Sequence, residues 1–264
     1  MTSLAQQNLP EAPLLDVGDG PAVLLLHGTA PGTTAQANFS HLIPALQGYR
    51  VLAPDLLGFG NSPLSPTLEY GPGLWARQAW QLLDERDISQ VVLVGNSMGA
   101  RIALTMAVSH SERIRGLVLF STRMTPTASP AQALLRDYTP SLAGMEQLLR
   151  ECFVTDQALV TPEVVRERFL ASARPGAHEA MQRVFAGLAR APGPATHDIA
   201  RLTIPTLLMH GRDDRIVPST DGAKLADLMP HADLHILAGT GHWLQLERAA
   251  TVNLLITDFL GRLP

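Results

Sequence analysis

The sequence has few of the groups that mark metal-binding, secreted or nucleic-acid-binding proteins. Cys152 is its single cysteine, which excludes an internal disulfide and a thiolate metal site and agrees with a reducing compartment. We expect this cysteine to be a small, partly buried apolar residue and not a nucleophile. Lys224 is the only lysine, and the arginines are scattered along the chain. No basic patch therefore indicates nucleic acid or an anionic membrane surface as a partner.

Long apolar runs and targeting signals are also lacking from the sequence. The longest uninterrupted apolar stretch, residues 22–26, is far shorter than the roughly 18 residues that a membrane span needs. Residues 1–8 carry neither a positive charge beyond the amino terminus nor an apolar stretch, so no secretory signal is expected. We therefore expect a cytoplasmic protein without a membrane partner.

What the sequence does contain is typical of a globular protein. Of its 264 residues 46% are hydrophobic and 17% are charged, with a formal net charge of -4, so a disordered chain is excluded. This length is sufficient for one large domain, or for one domain with an insertion, to bury a core.

Short β-type runs alternate with helical patterns along most of the chain. This alternation predicts a mostly parallel sheet flanked by helices, an α/β architecture. The runs are nearly continuous in apolar residues, which is typical of strands buried on both faces. The predicted strands cover residues 22–26, 51–53, 91–94, 117–120, 206–209 and 234–237, and the predicted helices cover residues 74–85, 100–109, 223–229 and 249–260.

The segment from residue 122 to residue 197 breaks this alternation. It contains no convincing β-type run, and its short helical patterns are separated by Pro and Gly. Thr161 followed by Pro162 is typical of a helix start, with an N-cap and a proline in the first turn. We therefore expect an inserted helical lid at 122–197, between two parts of the α/β core at 1–121 and 198–264.

The sequence Gly-Asn-Ser-Met-Gly at residues 95–99 directly follows a predicted strand and precedes a predicted helix. In that context a G-x-S-x-G motif predicts a nucleophile elbow, a sharp turn that exposes the serine at the carboxyl edge of the sheet. The flanking strand and helix make the motif much more specific than the five residues alone. Ser97 is therefore the candidate nucleophile.

A serine hydroxyl is a weak nucleophile at neutral pH, so it needs a base that is oriented by an acid. Among nine histidines, His242 lies in the loop after the last predicted strand. Asp213 and Asp214 lie together in the loop after the preceding strand, and Asp214 is the preferred acid. The order Ser97, Asp214, His242 is the one in which α/β-hydrolases carry their triad.

Other candidate sites are weaker. His231 and His235 flank and enter a strand, so a metal site there is disfavoured, and a structural turn role is favoured for His27. Residues 27–32 lack the Gly-Lys-Ser/Thr of a phosphate loop, and residues 58–60 lack the third glycine of a dinucleotide fingerprint. Residues 27–32 follow the first predicted strand and are instead expected to contribute to an oxyanion hole. The backbone N–H of Thr29 in this loop would supply one donor, and that of Met98, directly after Ser97, the other.

Two residues of the expected lid stand out. Helical steps of about 100° place Arg168 between Val164 and Val165 on an apolar face. Because arginine rarely faces a core without a partner, Arg168 either extends to the lid rim or reaches into a cavity to meet an anion. The sequence leaves both open. For Phe153, a place in the lid core is favoured over contact with a ligand.

Four segments together resemble one family, the meta-cleavage product hydrolases, which are carbon-carbon bond hydrolases of aromatic degradation with the α/β-hydrolase fold. They are His-Gly-x-x-Pro-Gly at 27–32 with Ala-Asn-Phe at 37–39, the motif at 95–99, the acid loop at 211–218, and Gly-His-Trp at 241–243 with a downstream Glu247. Asn before the serine and Trp after the histidine are more specific than the triad. Since the segment before residue 22 is shorter than in the family, one or two amino-terminal strands are expected to be reduced.

The resemblance implies a substrate site. Asn38, Asn96, Arg168 and Trp243 would bind the carboxylate and the adjacent oxo end of a 2-hydroxy-6-oxo-dienoate, and Phe153 would lie beside the substrate. It also implies a small-molecule carboxylate as substrate and a homo-oligomer, a dimer or larger.

The resemblance further implies the reaction. His242 would assist ketonisation of the dienol, and Ser97, or a water activated by the triad, would then attack the C6 carbonyl. The carbon-carbon bond would break to give 2-hydroxypentadienoate and an acid, with no cofactor and no metal.

Two alternatives stay open. One is a carboxylesterase or lactonase that uses the same triad, in which Arg168 is a structural lid residue. The other is a catalytically idle α/β-hydrolase fold used for ligand sensing or protein contact, against which the intact triad and elbow argue.

Overall fold

A computed structural model describes residues 9–125, 128–191 and 193–264. Residues 1–8, on which the expectation of no secretory signal rests, lie outside the described residues. Within the described ranges, no helix has the length and apolar character needed to cross a membrane.

Seven strands form one sheet in the order β1-β3-β2-β4-β5-β6-β7. β1 is antiparallel to β3, and every other neighbouring pair is parallel. The six predicted strands are confirmed as β2 to β7, most of them a few residues longer than predicted. The strands are β1 Leu14–Val17, β2 Ala22–Leu26, β3 Arg50–Pro54, β4 Val91–Asn96, β5 Ile114–Phe120, β6 Thr206–Gly211 and β7 Ala232–Leu237.

The two edge strands differ from the expectations. β1 was not predicted. It is a strand of four residues, two half-buried and two exposed, at one edge of the sheet. The prediction that β7 is buried on both faces was wrong, because Asp233 and Ile236 are exposed on this strand. Both strands have a neighbour on one side only, so their outer residues meet solvent.

The sheet changes direction next to β2. From β2 the chain moves to β3 on one side, and it then returns to β4 on the other side of β2. Ligands of open α/β sheets bind in the crevice outside the carboxyl ends of the strands at such a switch point. The loops after β2 and β4 border this crevice, and those after β6 and β7 open at the same edge of the sheet.

Helices cover both faces of the sheet. On one face the apolar core includes Trp75, Ile102 and Leu225, and on the other it includes Phe39 and Ile256. The four predicted core helices are confirmed. The helices are α1 Ala35–Asn38, α2 Pro72–Asp84, α3 Met98–Ser109, α4 Pro130–Asp137, α5 Leu142–Leu148, α6 Pro162–Ser172, α7 Ala177–Arg190, α8 Thr196–Ile199, α9 Thr220–Leu228, α10 Leu244–Glu247 and α11 Ala249–Gly261.

Every regular element that the structure describes between β5 and β6 is helical. It contains α4 to α8 and a π-helical turn, Leu149–Phe153, directly after α5. Thr161 caps α6 as predicted, since its side chain accepts the N–H of Val164 and Pro162 is the first helical residue. Residues from this segment share a third apolar cluster with core residues such as Trp243. α8 straddles the expected lid boundary at residue 197.

Candidate active site

Ser97 occupies the sharp turn between β4 and α3. Its φ of 54° and ψ of -106° are unusual for a residue with a side chain, which is the strain expected of a nucleophile elbow. Its N–H donates to the carbonyl of Phe120 at 2.8 Å. A Cβ on Gly99 would lie 1.8 Å from the carbonyl oxygen of Leu26, so only glycine lets α3 pass this close to β2.

Asp214 lies in the loop after β6 and is held at both carboxylate oxygens. Oδ1 accepts the N–H groups of Ile216 and Val217 at 2.8 and 2.9 Å. Oδ2 lies 2.7 Å from Nδ1 of His242. This pairing orients the imidazole and leaves Nε2 as the nitrogen available to a nucleophile.

A second histidine, His210, lies at the same carboxylate. Its Nε2 is 3.4 Å from Oδ2 of Asp214 and 3.0 Å from the carbonyl oxygen of Val217. Burial by itself raises the pKa of Asp214, but His242, His210 and their hydrogen bonds outweigh it and hold that pKa well below its usual range. Asp214 is therefore ionised at neutral pH.

The loop of His242 is anchored to the helical segment by one carbonyl. The carbonyl oxygen of Phe153 accepts the N–H of His242 at 2.9 Å and that of Trp243 at 3.1 Å. On the core side, the hydroxyl of Ser121 donates to the carbonyl of His242 at 3.1 Å. The position of the imidazole thus depends on residues of both the core and the helical segment.

Glu247 makes a second connection between the same parts. Its Oε1 accepts the N–H of Gly241 at 2.7 Å, and its Oε2 accepts those of Thr155 and Asp156 at 2.6 and 2.9 Å. One carboxylate therefore ties the histidine loop to the chain just after Phe153.

Arg168, Trp243 and Phe153 form a stack across the boundary between α6 and the core. The guanidinium carbon of Arg168 lies 4.1 Å from the ring centroid of Trp243, which stacks on Phe153 at 4.2 Å. Arg168 is only 5% exposed, so it reaches into the interior and does not extend to the lid rim. Burial lowers the pKa of Arg168 to about 10, so the side chain stays charged at neutral pH.

Three buried polar side chains of this region have atoms without a hydrogen-bond partner among the described residues. They are both amide atoms of Asn38, both amide atoms of Asn96, and Nη1 of Arg168. The side chain of Asn96 lies against the backbone of Gly28. Since buried polar groups are nearly always paired, this cluster indicates a site for a polar ligand.

Backbone contacts connect Arg168 and Asn38 with the loops around the switch point of the sheet. The backbone of Arg168 approaches Gly32, in the loop after β2, so closely that a Cβ there would lie 2.1 Å from the carbonyl oxygen of Arg168. The carbonyl of Asn38 accepts a hydrogen bond from Gln245, two residues after Trp243, at 3.4 Å. The predicted substrate-binding side chains and His242 therefore belong to one neighbourhood.

The comparisons with known proteins point to one family. Residues 23–254 match a family model described as the alpha/beta hydrolase family. A 2-hydroxymuconate semialdehyde hydrolase of Pseudomonas sp. (strain CF600) is 40% identical, over 94% of this chain and 89% of the relative. A meta-cleavage product hydrolase from Pseudomonas fluorescens IP01 has a TM-score of 0.88 at 35% identity, over 94% of this chain and 93% of that chain. The chain belongs to the meta-cleavage product hydrolases of the α/β-hydrolase family.

In this meta-cleavage product hydrolase the two backbone donors of the expected oxyanion hole stay a prediction. Met98 is the first residue of α3, so its N–H is one of the helix's amino-terminal donors that have no partner within the helix. Thr29 lies in the loop after β2, on the other side of the switch point. The close approach of α3 to the end of β2 brings these two segments together.

One buried histidine near this site, His27, has a structural role. His27 is fully buried; its Nε2 accepts the N–H of Leu56 at 3.0 Å, so Nδ1 carries the proton and donates to the carbonyl of Gly28. This agrees with the structural role expected for His27. Over the described ranges, no group of three or more His, Cys, Asp or Glu side chains is placed to hold a metal ion.

His210 is the residue of the meta-cleavage product hydrolase site that the sequence analysis missed. It follows three apolar residues in β6 and precedes the acid loop, where it reads as part of a buried strand. The signal that could have found it is its spacing, four residues before Asp214 at the same strand end.

Proposed function

We propose that this protein hydrolyses the C5–C6 bond of a 2-hydroxy-6-oxo-hexa-2,4-dienoate-type ring-fission product. The observation that carries the proposal is a set of buried polar atoms without a hydrogen-bond partner among the described residues, namely the side-chain amide atoms of Asn38 and Asn96 and Nη1 of Arg168. A simple esterase needs a nucleophile, a base and an oxyanion hole, but it has no use for a buried arginine with an unpaired Nη1. A dienoate supplies the carboxylate and the adjacent oxygen that these side chains lack.

The proposed binding mode assigns the carboxylate to Arg168. A guanidinium presents parallel N–H donors to a carboxylate, and burial strengthens such charge-assisted hydrogen bonds. Trp243 covers one face of this guanidinium and fixes its plane. Asn38 and Asn96 are assigned to the C2 oxygen. Phe153 is assigned to the wall beside the substrate, behind Trp243.

The proposed chemistry begins with ketonisation. His242 assists transfer of a proton from the C2 hydroxyl to C5, which leaves a C2 oxo group conjugated to the C3–C4 double bond. Ser97, or a water deprotonated by His242, then adds to the C6 carbonyl, and the backbone N–H groups of Thr29 and Met98 stabilise the resulting oxyanion. Asp214 stabilises the protonated imidazole.

Collapse of the oxyanion breaks the C5–C6 bond. The electron pair of that bond passes through C5 and the double bond to the C2 oxygen, where Arg168 and the asparagines stabilise the developing charge. Water supplies the oxygen of the released acid, either directly or by hydrolysis of an acyl group on Ser97. The proton held by His242 passes to the C2 oxygen, so the products are 2-hydroxypenta-2,4-dienoate and a carboxylic acid, and the atoms balance without a cofactor.

The named substrates of the relatives differ at C6. They include 2-hydroxymuconate semialdehyde, a 2-hydroxy-6-oxo-2,4-heptadienoate and a 6-phenyl dienoate. For this chain we propose the shared dienoate end as the recognised group. A panel of ring-fission products with different C6 groups, followed by loss of the dienolate absorbance, identifies the preferred substituent.

We also propose that residues 122–197 act as the lid, and that the protein is a cytoplasmic homodimer. The lid assignment is supported by the contacts of Phe153 and Arg168 with the histidine loop and Gly32. The dimer rests on the family resemblance, and light scattering coupled to size exclusion tests it: a monomer mass contradicts it.

The proposed function is tested with one variant on two substrates. In Arg168→Gln, kcat/KM for the dienolate is expected to fall roughly a hundredfold, since a charge-assisted pair of hydrogen bonds worth about 3 kcal/mol is lost. Activity on p-nitrophenyl acetate is expected to change by less than about threefold. Arg166→Gln, an exposed charge on the same helix, serves as the matched control.

The alternatives predict other results. A protein that leaves the dienolate intact but hydrolyses simple esters at ordinary enzymatic rates is a carboxylesterase or lactonase, with Arg168 as a structural residue. If Ser97→Ala leaves every measured activity unchanged, the fold is catalytically idle.

A further inference from the structure

His210 is a buried titratable side chain to which the proposed mechanism gives no role. It is the last residue but one of β6, and it is 1% exposed. A polar ring in the interior is costly unless its nitrogens find hydrogen-bond partners. The partners of His210 are therefore the observations from which its role can be inferred.

The neighbours of Nε2 determine that this nitrogen of His210 carries a proton. Nε2 lies 3.0 Å from the carbonyl oxygen of Val217 and 3.4 Å from Oδ2 of Asp214. A carbonyl oxygen and an ionised carboxylate only accept hydrogen bonds, so Nε2 donates its proton to both. At the other nitrogen of the ring, a Cβ on Gly222 would lie 3.0 Å from Nδ1, so α9 packs closely against it. The ring is thus held between α9 and the acid loop, with its N–H directed at Asp214.

Oδ2 of Asp214 therefore has two imidazole donors. Nδ1 of His242 lies 2.7 Å from this oxygen, and Nε2 of His210 is the second, longer contact. The Asp214 side chain is fully buried, so water does not compete for the same oxygen. A hydrogen bond to an ionised carboxylate stabilises its negative charge. With the charge of Oδ2 shared between two donors, less of it is available to stabilise a protonated His242.

Other charged groups lie on the elements that pack around this pair. Asp221, at the start of α9, is buried and accepts hydrogen bonds from Thr125 and Lys224. Arg123, after β5, interacts electrostatically with both Asp214 and Asp221. These charges stay in place when the histidine is replaced, so such a variant isolates the effect of its N–H.

We propose that His210 is a positioning residue of the triad, whose N–H weakens the interaction of Asp214 with the protonated form of His242. His242 is consequently neutral, and able to act as the base, at a lower pH than Asp214 alone would allow. This contact extends the pH range of the hydrolase towards acid. The inference rests on the triad of the proposed function and not on the identity of the substrate.

The test compares His210→Met with His210→Gln. The two new side chains are similar in length, but only glutamine can place an N–H donor near the position of Nε2. In His210→Met the acid limb of the profile of kcat/KM against pH is expected to move up by about half a pH unit, because His242 is then easier to protonate. In His210→Gln the limb is expected to stay within about 0.2 unit of the parent protein. Both the dienolate and p-nitrophenyl acetate serve as substrates.

A control variant and a measurement without turnover complete the design. His235 is half-buried on β7, where it is in register with Met209 of β6, so His235→Met makes the same change in the neighbouring strand and is expected to leave the acid limb in place. In the resting protein with 13C-labelled histidine, the ring resonances of His242 follow its protonation. Their titration midpoint is expected to rise by about half a unit in His210→Met.

The possible outcomes separate a tuning role from a merely structural one. An acid limb that is unmoved or moves down in His210→Met overturns the proposal, whatever the plateau rate, because a structural histidine alters rate or stability without this shift. An equal upward shift in the methionine and glutamine variants shows that the N–H is not its cause, and it also overturns the proposal. If His210→Met does not fold, His210→Phe keeps a planar ring without a donor and replaces it.

Failure of the proposed function has a different signature. A protein that does not cleave the dienolate but shows the shifted limb on p-nitrophenyl acetate has lost the proposed function, while the role of His210 stands. If neither substrate is turned over, the titration of His242 in the resting protein decides about His210.

Discussion

Asp214 shows how single side chains are fixed at this site. Two backbone N–H groups hold one of its oxygens, and His242 with His210 surrounds the other. Because the folded-state pKa of Asp214 is depressed, its ionised form stabilises the fold above the ordinary aspartate range. This contribution is lost as the pH falls through the lowered value, so the pair of Asp214 and His242 persists at mildly acidic pH.

The role of this carboxylate is tested by Asp214→Asn. The amide preserves the size of the side chain, but its NH2 group opposes the proton on Nδ1 of His242 and favours the wrong tautomer. The expected result is a loss of roughly ten-thousandfold in kcat with a nearly unchanged KM, as in other triads of this type. A loss below about tenfold, measured by dienolate decolorisation, contradicts the assignment of Asp214 as the triad acid.

The depressed pKa of Arg168 predicts a pH-dependent affinity for carboxylates. A guanidinium binds an anion only while it is protonated, so affinity is complete below the pKa of about 10 and is lost as the pH rises through it. The inhibition constant of sorbate, an unreactive dienoate that does not titrate there, is expected to be constant from about pH 8 and to rise about tenfold per unit above about pH 10. In Arg168→Gln the profile is expected to be flat. A flat profile in the parent protein instead means that Arg168 stays protonated over this range, which contradicts the lowered pKa.

At the scale of elements, the sequence predicted those that follow a strong pattern. The central strands are continuous apolar runs, and α6 has a recognisable start at Thr161 and Pro162. β1 escaped prediction because four residues, half of them exposed, carry no distinctive pattern. The burial of β7 on both faces was mispredicted because this strand lies at the edge of the sheet, and strand order depends on the packing of the whole sheet and not on the strand's own residues.

The parts of the site that depend on residues adjacent in the sequence were predictable. The elbow of Ser97 and the position of His242 after a strand are local features. The contact between Gly32 and Arg168 joins residues that are far apart in the chain, and no spacing rule predicts it. The same holds for the carbonyl of Phe153, which any residue type could provide.

The packing of α6 on the loop after β2 predicts the effect of Gly32→Ala. A methyl group there meets the backbone of Arg168, so α6 must shift, and a shift of about 1 Å at a binding residue costs roughly a hundredfold in rate. Gly48→Ala is the matched control, because Gly48 also has a positive φ, 80° against 70°, but has open space around it. Gly48→Ala is expected to lose about 1 kcal/mol of stability from backbone strain, and Gly32→Ala is expected to lose more, because its methyl group also clashes with the backbone of Arg168.

Only Gly32→Ala is expected to lose kcat/KM for the dienolate. Equal kinetics in the two variants would mean that the approach of α6 to Gly32 does not position Arg168.

On the scale of the whole molecule, the helical segment and the core share one apolar cluster. Leu148 and Phe153 of the segment pack in the same cluster as Ile216, Val217 and Trp243 of the core. A unit that buries its apolar face only against its neighbour does not unfold separately from it.

Thermal unfolding is therefore expected to be one cooperative transition. The near-ultraviolet dichroism, to which the stack of Trp243 on Phe153 contributes, and the far-ultraviolet dichroism of the helices are expected to have the same midpoint. Two transitions in calorimetry, or an earlier loss of the near-ultraviolet signal, would mean that the helical segment separates from the core before the sheet unfolds.

The carbonyl of Phe153 also makes hydrogen exchange at two backbone amides a measure of motion at the site. It accepts the N–H groups of His242 and Trp243, two consecutive residues of the core, although it belongs to the helical segment. An amide hydrogen held in this way is replaced by deuterium only when its hydrogen bond opens. The rate of deuterium uptake at these two amides therefore reports how often the contact between the helical segment and the histidine loop opens in the absence of substrate.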